Sequence, residues 1–343
     1  MAKKRVALAI LLSSCLLVGL LTGCSKKQAN EANDGTSSTT RVLKMGHHLS
    51  DTDGNNQMAQ KFAELVEKKT DGRYKIEIYT NGQLGGQKEC LESLKTGTLD
   101  MSISDTGLLA NYVSSIGLLD LPYMFDSREQ ARKIMDGVIG TEIKEQVAKE
   151  SGIRPLTIEG VLFRDTLLNN KKALSPADFK GIKIRTPENP VITMTFQAFG
   201  ATPVAIPSGE VYSAMQTGIV DGLEGNAEFV TLSKYFEVAK TCLKTGHILT
   251  NTTMNISEKV WQEISAEDQQ KFIEAGKEAL DFFYPLYDKI ASDSEQTMKQ
   301  AGVEFIEVDK DPFKQAVKPA VEDYVQKNNL QDLYQKLKQS KGE

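Results

Sequence analysis

Residues 182–222 read IKIRTPENPVITMTFQAFGATPVAIPSGEVYSAMQTGIVDG. Ile182-Lys183-Ile184-Arg185 alternates apolar and charged side chains, as a strand with one covered face does. Val191 to Phe199 has helical spacing. Thr202 to Ile206 is a second strand, and Gly209 to Thr217 a second helix that Gly218 ends. Ile219-Val220-Asp221-Gly222 predicts a short strand and turn. Strand and helix in alternation build a sheet covered by helices, with largely parallel strands. Ligands of such sheets sit outside the carboxyl ends of strands, which places Arg185 where a ligand would lie.

The same alternation runs toward the N-terminus. Val42-Leu43-Lys44-Met45 predicts a strand, and Asn56 to Lys69 a helix with Met58, Phe62, Leu65 and Val66 on one face. Tyr74 to Tyr79 alternates again, and Asn81-Gly82 is a turn signal. Gln87 to Lys95 predicts a helix stopped by Gly97, Leu99 to Ile103 a strand, and Arg154 to Leu168 another. Toward the C-terminus, Ser265-Ala266-Glu267-Asp268 caps a helical run of about 35 residues. Pro285 inside it removes one amide donor, so a kink is expected there. Val303 to Val308 alternates as a strand.

The first residues speak to compartment. Lys3, Lys4 and Arg5 precede the apolar run Val6 to Leu21, and Leu21-Thr22-Gly23-Cys24 follows. A basic head, an apolar middle and a small-residue end form a secretory signal. The final tetrad resembles the bacterial lipobox, which implies acylation of Cys24 and an extracytoplasmic protein tied to the membrane. An uncleaved anchor is the competing reading, since about 18 apolar residues can span a bilayer; the small-residue end favours cleavage. Ser25 to Thr40 is polar and reads as a tether. About 300 residues remain for two domains or one large α/β unit.

Of the 41 basic side chains, Lys3, Lys4 and Arg5 lie in the signal, leaving 38 against 46 acidic, a balance of −8. That balance, without a basic stripe, argues against nucleic acid as partner. Cys15 lies within the signal, and Cys24 is the acylation site. Cys90 and Cys242 remain, too few for a disulfide framework; both stand in helix-like contexts and are expected as buried thiols.

Several stretches, in order, resemble the solute receptors of tripartite ATP-independent periplasmic (TRAP) transporters, the DctP-like family. These are Asn81-Gly82-Gln83-Leu84-Gly85-Gly86 with Leu94 to Asp100, Leu121-Pro122-Tyr123-Met124-Phe125, Phe179 to Arg185 with Gly200-Ala201-Thr202-Pro203, Glu210 to Gly218 with Val220-Asp221-Gly222, and Trp261 with Asp268-Gln269. The resemblance covers roughly residues 41 to 310. It implies an α/β, two-lobed periplasmic-binding-protein-like fold with a hinge and one long kinked helix crossing both lobes. Laid on the chain, lobe I takes 41–163 plus 250–284, and lobe II takes 164–249 plus 285–343. It implies a monomeric receptor without cofactor or metal, which hands a small organic acid to TRAP-type membrane subunits.

The resemblance also implies site residues. Arg185 matches the Arg that grips the ligand carboxylate, and its planar fork suits two parallel hydrogen bonds; a surface ion pair is the plainer alternative. Arg164 matches a second Arg, although Asp165 stands ready to neutralise it. The family commonly reads Asp-Gly-x-Glu-Asn; here Asp221-Gly222-Leu223-Glu224 continues with Gly225, and Asn226 follows by one, as a substitute or as a turn Asn. His48, Gln87 and Asp105 match ligand-near positions of the first lobe, and an acid at 105 would accept hydroxyl hydrogens. Ser208 is a further candidate.

An exported hydrolase is the competing class. The three histidines, His47, His48 and His247, form no metal spacing, and no Gly-x-Ser-x-Gly elbow exists. Two Arg with His, Asp, Gln and Asn suit an acid carrying several hydroxyls. A sugar acid such as a uronate leads, ahead of a C4-dicarboxylate or another monocarboxylate.

Overall fold

Two long strands run through the middle of the molecule and tie its two halves together. The computed structural model describes residues 40–342, so the basic-apolar leader, Cys24 and most of the polar tether lie outside the described residues. The strands are β1 (Arg41–Gly46), β2 (Tyr74–Tyr79), β3 (Met101–Asp105), β4 (Ile153–Leu168), β5 (Lys183–Thr186), β6 (Thr202–Ala205), β7 (Gly222–Gly225), β8 (Thr241–Ser257) and β9 (Glu304–Glu307). They form one sheet in the order β2-β1-β3-β8-β4-β7-β5-β6, with β9 also on β8.

The wings are parallel, as the alternation predicts: β1 with β2 and β3, β5 with β6 and β7, β8 with β9. The middle is not. β4 pairs antiparallel with β8 and with β7, and β3 pairs antiparallel with β8. The start of β4 meets the end of β8 beside β3, and the end of β4 meets the start of β8 beside β7 and β9. Between these halves the β4–β8 register slips twice, at Gly160/Phe163 and at Arg164/Thr166. Bulges bend strands and re-aim side chains, and these two flank Arg164.

β8 is the element the periodicity misses. Its polar run Thr250, Asn251, Thr252, Thr253, Asn255 is buried throughout, because a central strand is covered on both faces and need not alternate. Buried polar groups require partners. Thr252 Oγ1 lies within hydrogen-bond distance of Asn55 Oδ1 (3.1 Å) and Glu159 Oε1 (3.0 Å), and Asn251 donates to Leu119 O and Asp120. Cys242 therefore lies in a strand, not the helix-like context expected of it; Cys90 lies in the helix Gln87–Thr96. Both are free, buried thiols. The strand expected at 219–222 is β7, three residues later, because Asp221 is spent on the loop: its carboxylate accepts Lys183 N at 2.9 Å and Lys171 Nζ at 2.8 Å.

The long helix is Ala266–Gln300, continuous through Pro285, with Ser265 accepting Asp268 N as its cap. Phe272, Ala279, Phe283 and Tyr287 pack with Met58, Phe62 and Leu65 of helix Gly54–Lys69. Met298 packs in the other half with Val230 and Tyr235. Close approach needs glycine at 54, where a Cβ would stand 2.4 Å from the Tyr287 ring. The C-terminal residues divide. Phe313 and Val317 join Phe179, Phe196 and Phe199, whereas Val321, Val325, Leu333 and Leu337 join Leu118, Ile134 and Ile143. The end of the chain thus packs on the first half, where the sequence division placed 285–343 wholly with the second. Among the described residues no helix is long and apolar enough to cross a membrane.

Candidate functional site

A cleft of about 230 Å³ lies where the two halves meet. His48, Gln87, Asp105, Arg164, Arg185, Ser208 and Asn226 all line it. The first three arrive from one half: His48 just after β1, Gln87 opening a helix, Asp105 ending β3. They are bonded to each other. Gln87 Nε2 lies 3.1 Å from His48 Nε2 and donates to Asp105 Oδ2 at 3.2 Å, while Asp105 N donates to Gln87 Oε1 at 2.8 Å. Burial holds the His48 imidazole below its ordinary value; Asp105 pulls it up and Arg185 pushes it further down. A neutral ring follows, with Nδ1 buried and meeting no protein partner.

The two arginines differ. Arg164 is 7% exposed and grips Glu224 with two nitrogens, Nε and Nη2, the latter at 2.6 Å. Its Nη1 donates to Thr250 Oγ1 at 3.3 Å. Burial pushes the Glu224 carboxyl up, but the Arg164 charge and the hydrogen bonds from His247 and Arg164 outweigh it and hold the group at about 2. The neutraliser of Arg164 is therefore Glu224 and not Asp165. The Asp165 carboxylate is taken by Lys244 at 2.6 Å and Gly246 N at 2.9 Å.

Arg185 is 3% exposed. Its Nε donates to Ile206 O at 2.9 Å, which orients the guanidinium plane. Among the described residues its terminal nitrogens meet no carboxylate. Burial, with Arg164 nearby, pushes its pKa down to about 10, against the partial compensation of Glu224. A fully desolvated cation without a counter-ion is costly, and a bound carboxylate relieves that cost. The Phe229 ring lies 5.7 Å from its Cζ.

Asn226 caps the helix Ala227–Leu232 by accepting Phe229 N at 2.9 Å, and its amide donates to Thr250 Oγ1 at 3.3 Å. Gly225 leaves room for the ring: a Cβ there would meet Phe229 Cδ1 at 2.8 Å. Ser208 is held by its carbonyl, which accepts Tyr235 O–H at 2.8 Å. Sequence reading passed over Asp53, Thr250, Glu228 and Phe229, which also line the cleft. Thr250 belongs to the unrecognised β8, and Glu228 and Phe229 lie two and three residues after Asn226, so only that proximity pointed to them.

Two halves sharing long strands, with a buried, unpaired guanidinium in the cleft between them, define a two-lobed receptor for small anions. The chain belongs to the bacterial extracellular solute-binding proteins, family 7, whose model matches residues 45–328. It is 30% identical over 292 residues to the 2,3-diketo-L-gulonate-binding periplasmic protein YiaO of Escherichia coli, spanning 84% of this chain and 88% of that one. A TRAP periplasmic solute-binding protein of Roseobacter denitrificans with bound β-D-glucuronate superposes with a TM-score of 0.83 at 28% identity, over 87% of this chain and 99% of that one. Another, from Polaromonas, bound to D-erythronate, gives 0.82 at 29% identity, over 87% and 98%. These proteins are extracytoplasmic receptors of TRAP transporters, and so is this chain.

Proposed function

We propose that this receptor captures a sugar-acid monocarboxylate, a hexuronate such as glucuronate first, and delivers it to TRAP-type membrane subunits without altering it. One observation carries the reading: Arg185 is buried, oriented by Ile206 O and left without a counter-ion in a cleft that also presents the polar side chains of Asn226, Asp105, Gln87 and His48. Arg185 takes the carboxylate. Asn226, Asp105, Gln87 and His48 address hydroxyls, Ser208 closes the rim, and Arg164, satisfied by Glu224, supplies an N–H edge. The glucuronate complex of the Roseobacter relative supports the choice of ligand. A shorter hydroxy acid is the second reading, supported by the erythronate complex. The lobes, 41–163 plus 250–284 and 164–249 plus most of 285–343, close over the ligand by rotation about β4 and β8. A lipid on Cys24 holds the protein, as a monomer, at the membrane.

Thermal shift of the purified protein against uronates, aldonates and C4-dicarboxylates tests the ligand. A ligand at 100 times its dissociation constant adds about 2.7 kcal/mol of stability. Stabilisation by uronates and their recovery unchanged are expected; a response to dicarboxylates alone would overturn the reading. Small-angle scattering should show compaction with the stabilising acid. Membrane fractionation of Cys24→Ala should release the protein into the soluble fraction.

A further inference from the structure

Two acids of the cleft have no part in the site as described so far. Asp53 caps the helix Gly54–Lys69, its Oδ1 accepting Asn55 N at 2.8 Å. Glu228 comes from the other half, in the first turn of the helix after Asn226, and its Oε1 accepts Gly54 N at 2.9 Å. The two carboxyls thus sit on consecutive backbone amides of one helix start. Both line the same cleft as Arg185, and they are only 7% and 4% exposed. Among the described residues neither forms an ion pair with a Lys, Arg or His. The cleft is therefore polarised: a cation lacking an anion in one part, and two carboxyls lacking a cation in another.

We propose that Asp53 and Glu228 form an acidic wall that accepts hydrogens from the ligand's remote hydroxyls and repels a second carboxylate, so that the receptor takes polyhydroxy monocarboxylates and rejects dicarboxylates of the same length. The inference rests on the reading of the cleft as a sugar-acid site. Ionised carboxyls are acceptors only, with about four lone-pair sites each. A hydroxyl can serve them, and a ligand carboxylate cannot. Two like-charged carboxyls on adjacent amides already resist full ionisation. Burial first, then repulsion by Asp53, pushes Glu228 up to about 7 against its bonds to Tyr287 and Gly54. Burial pushes Asp53 to about 6, with Asp105 adding to the rise and Asn55 opposing it. A third negative charge brought to this wall would find no counter-charge there. Of the other acids that line the cleft, Asp105 is bonded to Gln87 and Glu188 pairs with Lys88.

The test uses two pairs of acids with one and two carboxylates: D-erythronate against meso-tartrate, which differ only at the end remote from the shared carboxylate, and D-glucuronate, a pyranose, against D-glucarate, the open-chain diacid of the same carbon skeleton. Calorimetry at pH 7.5 measures all four on the wild type, Glu228→Gln, Asp53→Asn and the double variant. Gln keeps an acceptor for Gly54 N, and Asn is a good helix cap, so each variant retains the local hydrogen bonds. Like-charge juxtaposition costs several kcal/mol, so the wild type should prefer the monocarboxylate of a bound pair by about 30-fold or more. Neutralising one acid should narrow that ratio by about tenfold, chiefly through tighter dicarboxylate binding, and the double variant should narrow it further. A wild type that binds both members of a pair alike overturns the proposal, as does a ratio that the substitutions leave unchanged. Failure of all four acids to bind any of the proteins is a distinct result: it removes the sugar-acid reading and this inference with it.

Discussion

The β4–β7 side of the cleft and the β5–β6 side each bury one arginine, and the two are solved differently. On the first, Arg164 meets Glu224 through two nitrogens and Thr250 through a third, so its charge is balanced within the chain. On the second, Arg185 receives one carbonyl and no carboxylate. Removing a partner from a buried pair leaves a bare charge and is strongly destabilising, whereas a pair as a whole adds little net stability. The difference separates two states that the residue type alone does not: the Arg164 charge is balanced within the chain, and the Arg185 charge is left for the anion that the proposed function assigns to it.

The sharpest way to break this comparison is to truncate both. Arg164→Ala strands Glu224, fully buried beside His247, and should lower unfolding stability by about 3–5 kcal/mol. Ligand-free Arg185→Ala should unfold in denaturant no more easily than wild type, yet lose about 2–5 kcal/mol of affinity for its acid. Arg185→Lys should remain poor, since it keeps charge without the planar fork. If Arg185→Ala costs stability and spares affinity, the assignment of roles is reversed. Gly225→Ala, at the end of β7, reaches across to the second side: its Cβ crowds Phe229 beside Arg185, and overpacking of this kind costs about 1–3 kcal/mol. Calorimetry should place that loss in ligand binding more than in stability.

A pH-dependent effect tests whether an unpaired buried charge is tolerated away from the cleft arginines. Glu159 on β4 is fully buried, and burial pushes it to about 8 despite bonds from Thr157 and Thr252 and the nearby Lys144 charge. Its folded value lies above its unfolded one, so its contribution to stability is complete below about pH 4.3 and is lost as pH rises through about 8. Glu159→Gln should therefore gain melting temperature over wild type at pH 9 and little at pH 5. A pH-independent difference would show that Glu159 is ionised in place.

Arg185 was singled out by the resemblance together with a local signal, its place at the end of an alternating strand before Pro187. His48, Gln87 and Asp105 were singled out by the resemblance, and each stands at the end or start of an element that lines the cleft. Glu224 was quoted within a motif and given no partner, because that partner is 60 residues away and Asp165 is adjacent in sequence. β8 escaped because a strand covered on both faces carries no period, and its polar residues look exposed until Ser104, Asn55 and Glu159 are brought against them.

The sequence by itself determined the elements at the wings of the sheet, the caps of the long helix and the position of Arg185, since these follow from hydrophobic spacing and backbone chemistry within a few residues. Only the tertiary structure decided which arginine keeps a counter-ion, which strands pair antiparallel at the centre, and that Asp53 and Glu228, 175 positions apart, share one helix start. Charge balance and burial depend on distance in space, and no periodicity along the chain encodes the distance between residues that meet across a cleft.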